Sequence, residues 1–278
     1  MKCPTPVSVP DPNAKHKSIR FHVPCGKCGA CRHNRRSEWS FRLKQEARDS
    51  LTAIFCTFTY RDDNLPFTED GEVTLRKKDW QDFMKRLRWR QSQITHVKVR
   101  YYAVGEYGTN TSRPHYHSLL FNVDKRLFKH LDEIWSHGHC HVDIVNDNTI
   151  HYCTKYHVNY EKKGEDREDE FSVMSLKPAI GYIYLKKNAK FHKESGNFFV
   201  YNNGFKQKLP RYYKNKIFTD QERQMNAEKY ISISDESYNR EIRRLKSLLI
   251  QDPHSELYRR ELAEAKKVRK KSNENNLF

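Results

Sequence analysis

Two histidines one residue apart, His115 and His117, stand where a loop ends and an apolar run begins, in Arg113-Pro114-His115-Tyr116-His117-Ser118-Leu119-Leu120-Phe121. Pro114 restricts Arg113 to an extended conformation, and the residues after it read as a strand. Side chains two apart on a strand share a face, so the two imidazoles project together. Such a pair suits a metal once a third ligand arrives from a neighbouring strand; ordinary histidines on a half-exposed strand are the alternative. A third ligand is at hand in Glu106, at the end of the preceding strand, Val97 to Glu106. The Gly/Ser/Thr loop between them, Tyr107 to Arg113, makes a hairpin and brings Glu106 level with the histidines. A carboxylate buried there needs a partner, which a cation held by Glu106, His115 and His117 supplies. Mixed oxygen and imidazole ligands with open positions suit Mg²⁺ or Mn²⁺, with zinc a further choice. His139 and His141 form a second pair two apart, ranked behind the first because no acid and loop accompany it.

The other residues with chemistry in reach are Tyr152, Lys155 and Tyr156, in a helix that Asn146-Asp-Asn-Thr149 starts and that runs to about Tyr160. Tyrosines four apart share a helix face, which also describes plain aromatic packing. A tyrosine hydroxyl can attack a phosphodiester and retain the broken strand as a phosphotyrosine ester. It is a poor nucleophile at neutral pH, so a cation must polarise the phosphate, which the metal site provides. Lys155 can orient the phosphate or stabilise the phenolate.

A third cluster is Cys25-Gly-Lys-Cys28-Gly-Ala-Cys31. Three thiolates in a Gly-bearing loop lack one ligand for a structural zinc site, and Cys3 is the first choice for it, His33 the second. Reduced cysteines in a surface loop are the competing reading.

These residues need a scaffold. Asn34 to Ser50 is an amphipathic helix with a basic surface, and Leu51 to Tyr60 a β-branched and aromatic strand with Thr57 and Thr59 on one face. Leu75 to Gln91 is a helix with Trp80, Phe83, Met84 and Leu87 inward and Lys/Arg outward. Asp124 caps a helix through Trp135 that ends at Gly138, and His139 to Val145 alternates as a strand. Glu161 to Glu170 is charged enough to be mobile. Asn197 to Leu209 reads as a hairpin across Asn202-Asn203-Gly204, followed by charged helices over Glu236 to Ile250 and Pro253 to Lys271.

The chain has 278 residues, 52 Lys and Arg against 35 Asp and Glu, and a formal charge of +17, which suits a polyanion such as DNA. No apolar run approaches the ~18 residues that span a bilayer, and Met1 to Thr5 lacks a signal-peptide apolar region, so the expectation is a soluble intracellular protein without membrane contact. No Gly-Lys-Ser/Thr phosphate loop is present, so helicase activity must come from elsewhere.

Taken in order, these motifs resemble the HUH endonucleases, and more closely the replication initiators of the Microviridae, particularly the gokushovirus branch. The likeness spans about residues 3 to 215. It rests on Pro24-Cys25-Gly26-Lys27-Cys28 with Cys31 and Arg32, Glu38-Trp39, Thr57-Phe58-Thr59-Tyr60, Gly105-Glu106-Tyr107-Gly108, Arg113-Pro114-His115-Tyr116-His117, Tyr152-Cys-Thr-Lys155-Tyr156 and Leu209-Pro210-Arg211-Tyr212-Tyr213. The resemblance implies a rolling-circle initiator that nicks and rejoins single-stranded DNA at a phage origin through a covalent 5′-phosphotyrosine. Tyr152 and Tyr156 would be the nucleophiles, His115, His117 and Glu106 the metal ligands, and a host helicase and polymerase the partners, in the cytoplasm of a bacterial host. Tyr160 extends the tyrosine series, and Ala179 replaces an expected glycine in Ser175 to Gly181. A non-catalytic zinc-stabilised nucleic-acid-binding protein, or a relaxase or transposase, are the other readings.

The expected fold is α+β: a central antiparallel sheet with helices on one face, as a domain over residues 34–215. A Cys-rich arm over 1–33 precedes it and a helical tail over 216–278 follows.

Overall fold

The computed structural model describes residues 3, 5–10, 18, 20–108, 111–156, 166–202, 204–257, 259, 260 and 263. In chain order the first elements are β1 (Val7–Pro10), β2 (Arg20–Val23), α1 (Gly29–Asp49), β3 (Ala53–Tyr60), α2 (Lys77–Ser92), β4 (Arg100–Tyr107), β5 (Pro114–Phe121) and α3 (Leu131–Trp135). After them come β6 (Gly138–Ile144), α4 (Asp147–Tyr156), β7 (Phe171–Met174), α5 (Tyr182–Ser195), β8 (Phe199–Asn202), β9 (Phe205–Lys208), α6 (Arg211–Ile217) and α7 (Asp220–Ser247). The chain divides into one unit of residues 1–37, 198–201 and 206–278 and another of residues 38–197 and 202–205.

The second unit is built on a five-stranded sheet in the order β6-β3-β5-β4-β7, antiparallel throughout. Strict alternation in β3 turns Ile54, Cys56, Phe58 and Tyr60 to one side. There they meet Trp80, Phe83, Met84 and Leu87 of α2 and Ile134 and Trp135 of α3. Phe58 sits within 4.6–5.5 Å, ring centre to ring centre, of Phe83, Trp135 and Trp80, so truncating it to Ala should cost about 3–5 kcal/mol. A buried polar cluster closes the same side: the Tyr60 hydroxyl donates to Asp79 at 2.8 Å and meets the Tyr116 hydroxyl at 2.8 Å.

Leu43 of α1 and Ile150 and Cys153 of α4 cover the opposite face, against Tyr102, Val104, Leu119 and Phe121. The sheet therefore has helices on both faces, not on one as expected. Central strands covered on both sides read as continuous apolar runs, and β4 and β5 are buried at nearly every position.

Other boundaries also differ from expectation. α1 begins at Gly29, inside the cysteine loop. The helix after Asp124 ends at Ser136, whose φ of 65° supplies the left-handed stop assigned to Gly138. Gly138 instead opens β6, where a Cβ would collide with the backbone of Thr59, Tyr60 and Arg61. The charged stretch is tied down over its described part. There Glu168 accepts from the Lys77 amide at 2.9 Å, and its carbonyl accepts from the Tyr107 hydroxyl at 2.7 Å.

Ser175 to Gly181, with a cis Lys177–Pro178 bond, is held by α1 and β4. Arg42 donates to the Ile180 carbonyl and Arg100 to those of Pro178 and Ala179, while Glu46, 2% exposed, accepts from the Gly181 amide at 2.7 Å and pairs with Arg100. Ala179 thus contributes its backbone carbonyl, which a glycine would also offer.

In the first unit β1 pairs with β2 and β8 with β9. α7 starts at Asp220, earlier than expected, because Thr219 and Glu222 form a reciprocal capping box. Asp252 caps the next turn by accepting from Ser255. Most of the expected last helix lies outside the described residues.

Candidate metal and tyrosine site

The hairpin of β4 and β5 pairs Glu106 with His115, Val104 with His117 and Gly105 with Tyr116. Alternation along β5 therefore sends both histidines to the α4 face and buries Tyr116 on the α2 face. Gly105 is needed beside Glu106: a Cβ there would lie 3.0 Å from the Phe171 ring of β7.

Glu106, 2% exposed, receives three groups on one oxygen. His115 Nε2 lies 2.8 Å from Oε1, His117 Nε2 2.9 Å, and the Tyr152 hydroxyl donates to it at 2.8 Å. The Tyr152 hydroxyl also lies 3.2 Å from His117 Nε2. Each imidazole is oriented through its other nitrogen, His115 Nδ1 by the Arg113 carbonyl at 3.0 Å and His117 Nδ1 by Thr57 Oγ1 at 3.0 Å. A carbonyl accepts from Nδ1–H and so leaves Nε2 with its lone pair, the arrangement by which metal-binding histidines are held.

Burial pushes the Glu106 carboxyl up, yet hydrogen bonds from His115 and His117 and their charge outweigh it and hold the group at about 2. For His115, burial works downward and is overcome by the hydrogen bond and charge of Glu106, so its pKa rises. For His117 burial prevails over Glu106, helped by the charges of His115 and Lys155, and its pKa falls. One proton is thus shared between Glu106 and His115 while His117 stays neutral.

The donor set fits a divalent cation. A carboxylate oxygen and two imidazole nitrogens lie within 4.8 Å of one another, and Glu106 Oε2 is buried with no hydrogen-bond partner. A buried carboxylate oxygen without a donor calls for a cation.

α4 is set by a reciprocal cap in which Asn146 Oδ1 accepts from the Thr149 amide and Thr149 Oγ1 from the Asn146 amide, both at 2.9 Å. It places Tyr152 edge-on to His117, ring centres 4.6 Å apart, with Phe55 stacked on the other side of His117. Lys155 Nζ lies 5.6 Å from the centre of the Tyr152 ring. Tyr156 is the last residue of α4, and Tyr160 lies outside the described residues.

His139 and His141 are exposed on the edge strand β6, and no third ligand joins them among the described residues. Through β3 they lie in register with the first pair, Thr59 between His115 and His139 and Thr57 between His117 and His141. Thr57 is the site residue that sequence reasoning missed: its pairing with β5 joins segments 60 residues apart, and its pattern alone reads as an ordinary half-buried strand.

In the first unit, Cys3, Cys25, Cys28 and Cys31 bring their four sulfurs within 4.8 Å of one another. Cys3 Sγ lies 3.6 Å from Cys25 Sγ and 3.7 Å from Cys28 Sγ. A tetrahedron with zinc–sulfur bonds of about 2.3 Å has edges of roughly 3.8 Å, so the spacing is that of a closed zinc site. The Cys25 amide points at Cys3 Sγ at 3.4 Å and the Cys28 amide at Cys25 Sγ at 3.3 Å, donors suited to thiolates. A hydrogen bond from Thr5 and the Cys28 and Lys27 amides bring the Cys25 thiol down to about 6; burial pushes Cys31 up to about 12. The set gathers without His33.

Residues 53–161 match the family model of the replication-associated protein ORF2. The chain is 30% identical over 217 residues to Replication-associated protein VP4 of Bdellovibrio phage phiMH2K, covering 69% of this chain and 66% of that one. The chain belongs to the phage replication-associated proteins. Within that family it is also 26% identical to Replication-associated protein ORF2 of Spiroplasma virus 4, over 78% of this chain and 73% of that protein. Replication-associated protein ORF4 of Chlamydia phage 1 is 24% identical over 72% of this chain and 55% of its own length. No solved structure matches. The family's matched span begins with β3 and takes in Glu106, both histidines and the tyrosines, and leaves the cysteine cluster outside. Among the described residues no helix is long and apolar enough to cross a membrane.

Proposed function

We propose that this replication-associated protein is a rolling-circle initiator that nicks and rejoins single-stranded DNA at a phage origin, with Tyr152 as a nucleophile. One observation carries the proposal: the Tyr152 hydroxyl lies within hydrogen-bonding distance of both Glu106 and His117, the residues best suited to hold a cation.

Glu106, His115 and His117 would hold Mg²⁺ or Mn²⁺, which when bound supplies positive charge to polarise the scissile phosphate. Tyr152 Oη attacks phosphorus, the bond to the 3′ oxygen breaks, and that oxygen leaves as a hydroxyl with the proton the tyrosine gives up. The 5′ phosphate stays on Tyr152, and attack by a 3′ hydroxyl reverses the step and rejoins the strand. Phe55, stacked on His117, and Thr57, bound to its Nδ1, keep that imidazole fixed through both directions. Tyr156 serves as the second nucleophile of the cycle, Lys155 steadies the phosphate, and strand opening and synthesis fall to a helicase and polymerase of the bacterial host.

The test is incubation of the protein with a labelled origin-derived single strand and Mn²⁺. A protein–DNA adduct that survives denaturation, lost on chelation and mapped to Tyr152 by mass spectrometry, is expected. An undiminished adduct from Tyr152→Phe combined with Tyr156→Phe would overturn the assignment of nucleophile, and no adduct with any divalent metal would overturn the activity.

The cysteine cluster serves as a structural zinc site in the same proposal, because the spacing of its sulfurs matches a zinc tetrahedron. One zinc per chain is expected by elemental analysis, falling with Cys3→Ser and unaffected by His33→Ala. A zinc-free native protein would remove this part while leaving the nicking site untouched.

A further inference from the structure

The hairpin of β8 and β9 presents an outward face that the nicking chemistry does not use. Phe199 and Tyr201 stand two apart on β8, about 7 Å along the strand, and so share a face. Their ring centres are 5.8 Å apart at right angles, and Tyr201 is 65% exposed. On β9, Lys206 Nζ sits 3.9 Å from the centre of the Phe199 ring, which puts Lys206, and by alternation Lys208, on that same face. The inward face is fully used. Val200 is buried, Phe198 stacks on Phe218 with ring centres 3.9 Å apart, Ser37 donates to Gln207, and the Leu209 amide donates to the Phe198 carbonyl.

An isolated exposed tyrosine needs no explanation. Two adjacent outward rings with two lysines on a ribbon anchored from behind do. The surrounding charge has one sign: between Glu194 and Asp220 the sequence carries Lys206, Lys208, Arg211, Lys214 and Lys216 and neither Asp nor Glu. Rings that offer their faces to solvent beside cations suit unpaired bases on a phosphate backbone; a duplex offers no base faces. We propose that the outward face of this hairpin is a second binding site for single-stranded nucleic acid, with Tyr201 and Phe199 stacking bases and Lys206 and Lys208 contacting phosphates. The site goes beyond the nicking reading and does not depend on it.

The experiment is fluorescence anisotropy with a fluorescein-labelled oligo(dT), which lacks origin sequence, titrated over a range of salt without divalent metal. Tyr201→Ala is expected to weaken binding about 5- to 150-fold, the range for loss of one stacked base, and Tyr201→Trp to retain it. Lys206→Gln with Lys208→Gln, at exposed positions that do not hold the fold, should lower the slope of log K against log salt by about 1.4. Tyr201→Ala should still form the tyrosine adduct at saturating origin DNA, which separates this site from the nicking site. Unchanged affinity in Tyr201→Ala, an unchanged salt slope in the lysine pair, or tighter binding of a duplex of the same length would each overturn the proposal.

Discussion

Replacing Glu106 by Gln keeps the shape of the site and removes its charge. A carboxyl held at about 2 against the usual 4.5 corresponds to roughly 3 kcal/mol in favour of its ionised form, and the group is too buried for solvent to screen that strongly. An amide oxygen still accepts one or two of the three hydrogen bonds, so the net loss of stability should be about 2–3 kcal/mol. The sign depends on pH. A depressed carboxyl contributes stability above its unfolded value and loses it as pH falls toward about 2, whereas the raised His115 contributes below its own unfolded value and loses it as pH rises through the folded one. Both shifts describe one interaction, so it is counted once and is fullest between about pH 4.5 and 6.5. Urea unfolding of the chelator-treated protein at pH 5.5 should show Glu106→Gln at its largest deficit, shrinking toward pH 4 and above pH 8. Added Mn²⁺ should raise the midpoint of the native protein and leave that of the variant unmoved. Equal stability at pH 5.5, or equal stabilisation by Mn²⁺, would refute the reading of this cluster as a charged ligand set.

Glu46→Gln should cost about 3 kcal/mol by chemical denaturation, the low end for breaking a buried ion pair, because Arg100 keeps its carbonyl partners at Pro178 and Ala179; a cost under 1 kcal/mol would show that those carbonyls suffice alone. In metal-stripped protein at pH 7, Cys25 should be mostly thiolate and Cys31 entirely thiol. Iodoacetamide should therefore label Cys25 first, as read by peptide mass spectrometry, and preferential labelling of Cys31 would contradict the environments described. Gly138→Ala should lower the midpoint of thermal unfolding by the equivalent of about 3 kcal/mol, the upper end for overpacking, because the added methyl meets backbone that cannot step aside.

Much of the site was legible because its ligands are local. Glu106, His115 and His117 come from one hairpin, and alternation along two strands and a short loop is enough to put them together. Tyr152 followed from helical spacing and the chemistry of its hydroxyl. The supports were not legible, because they arrive from far along the chain. Thr57 meets His117 only because β3 lies between β5 and β6, and Glu46 meets Gly181 across 135 residues. No periodicity carries such pairings. The two-sided cover of the sheet left a trace in the burial of β4 and β5, but a short apolar run reads equally well as a strand covered once.

The strand order also has a consequence in time. β4 and β5 are joined by a short loop and close cheaply, whereas β3 must find β5 across most of the intervening chain, a costlier loop to close before any contact rewards it. The ligand hairpin should therefore form early, with the partners of its imidazoles docking later, and pulse-labelled hydrogen exchange should protect the β4–β5 amides before those of β3. Simultaneous protection of the three strands would disprove this sequence of events. If it holds, a nascent chain displays Glu106, His115 and His117 to any metal in solution before Thr57 and Tyr152 have closed over them.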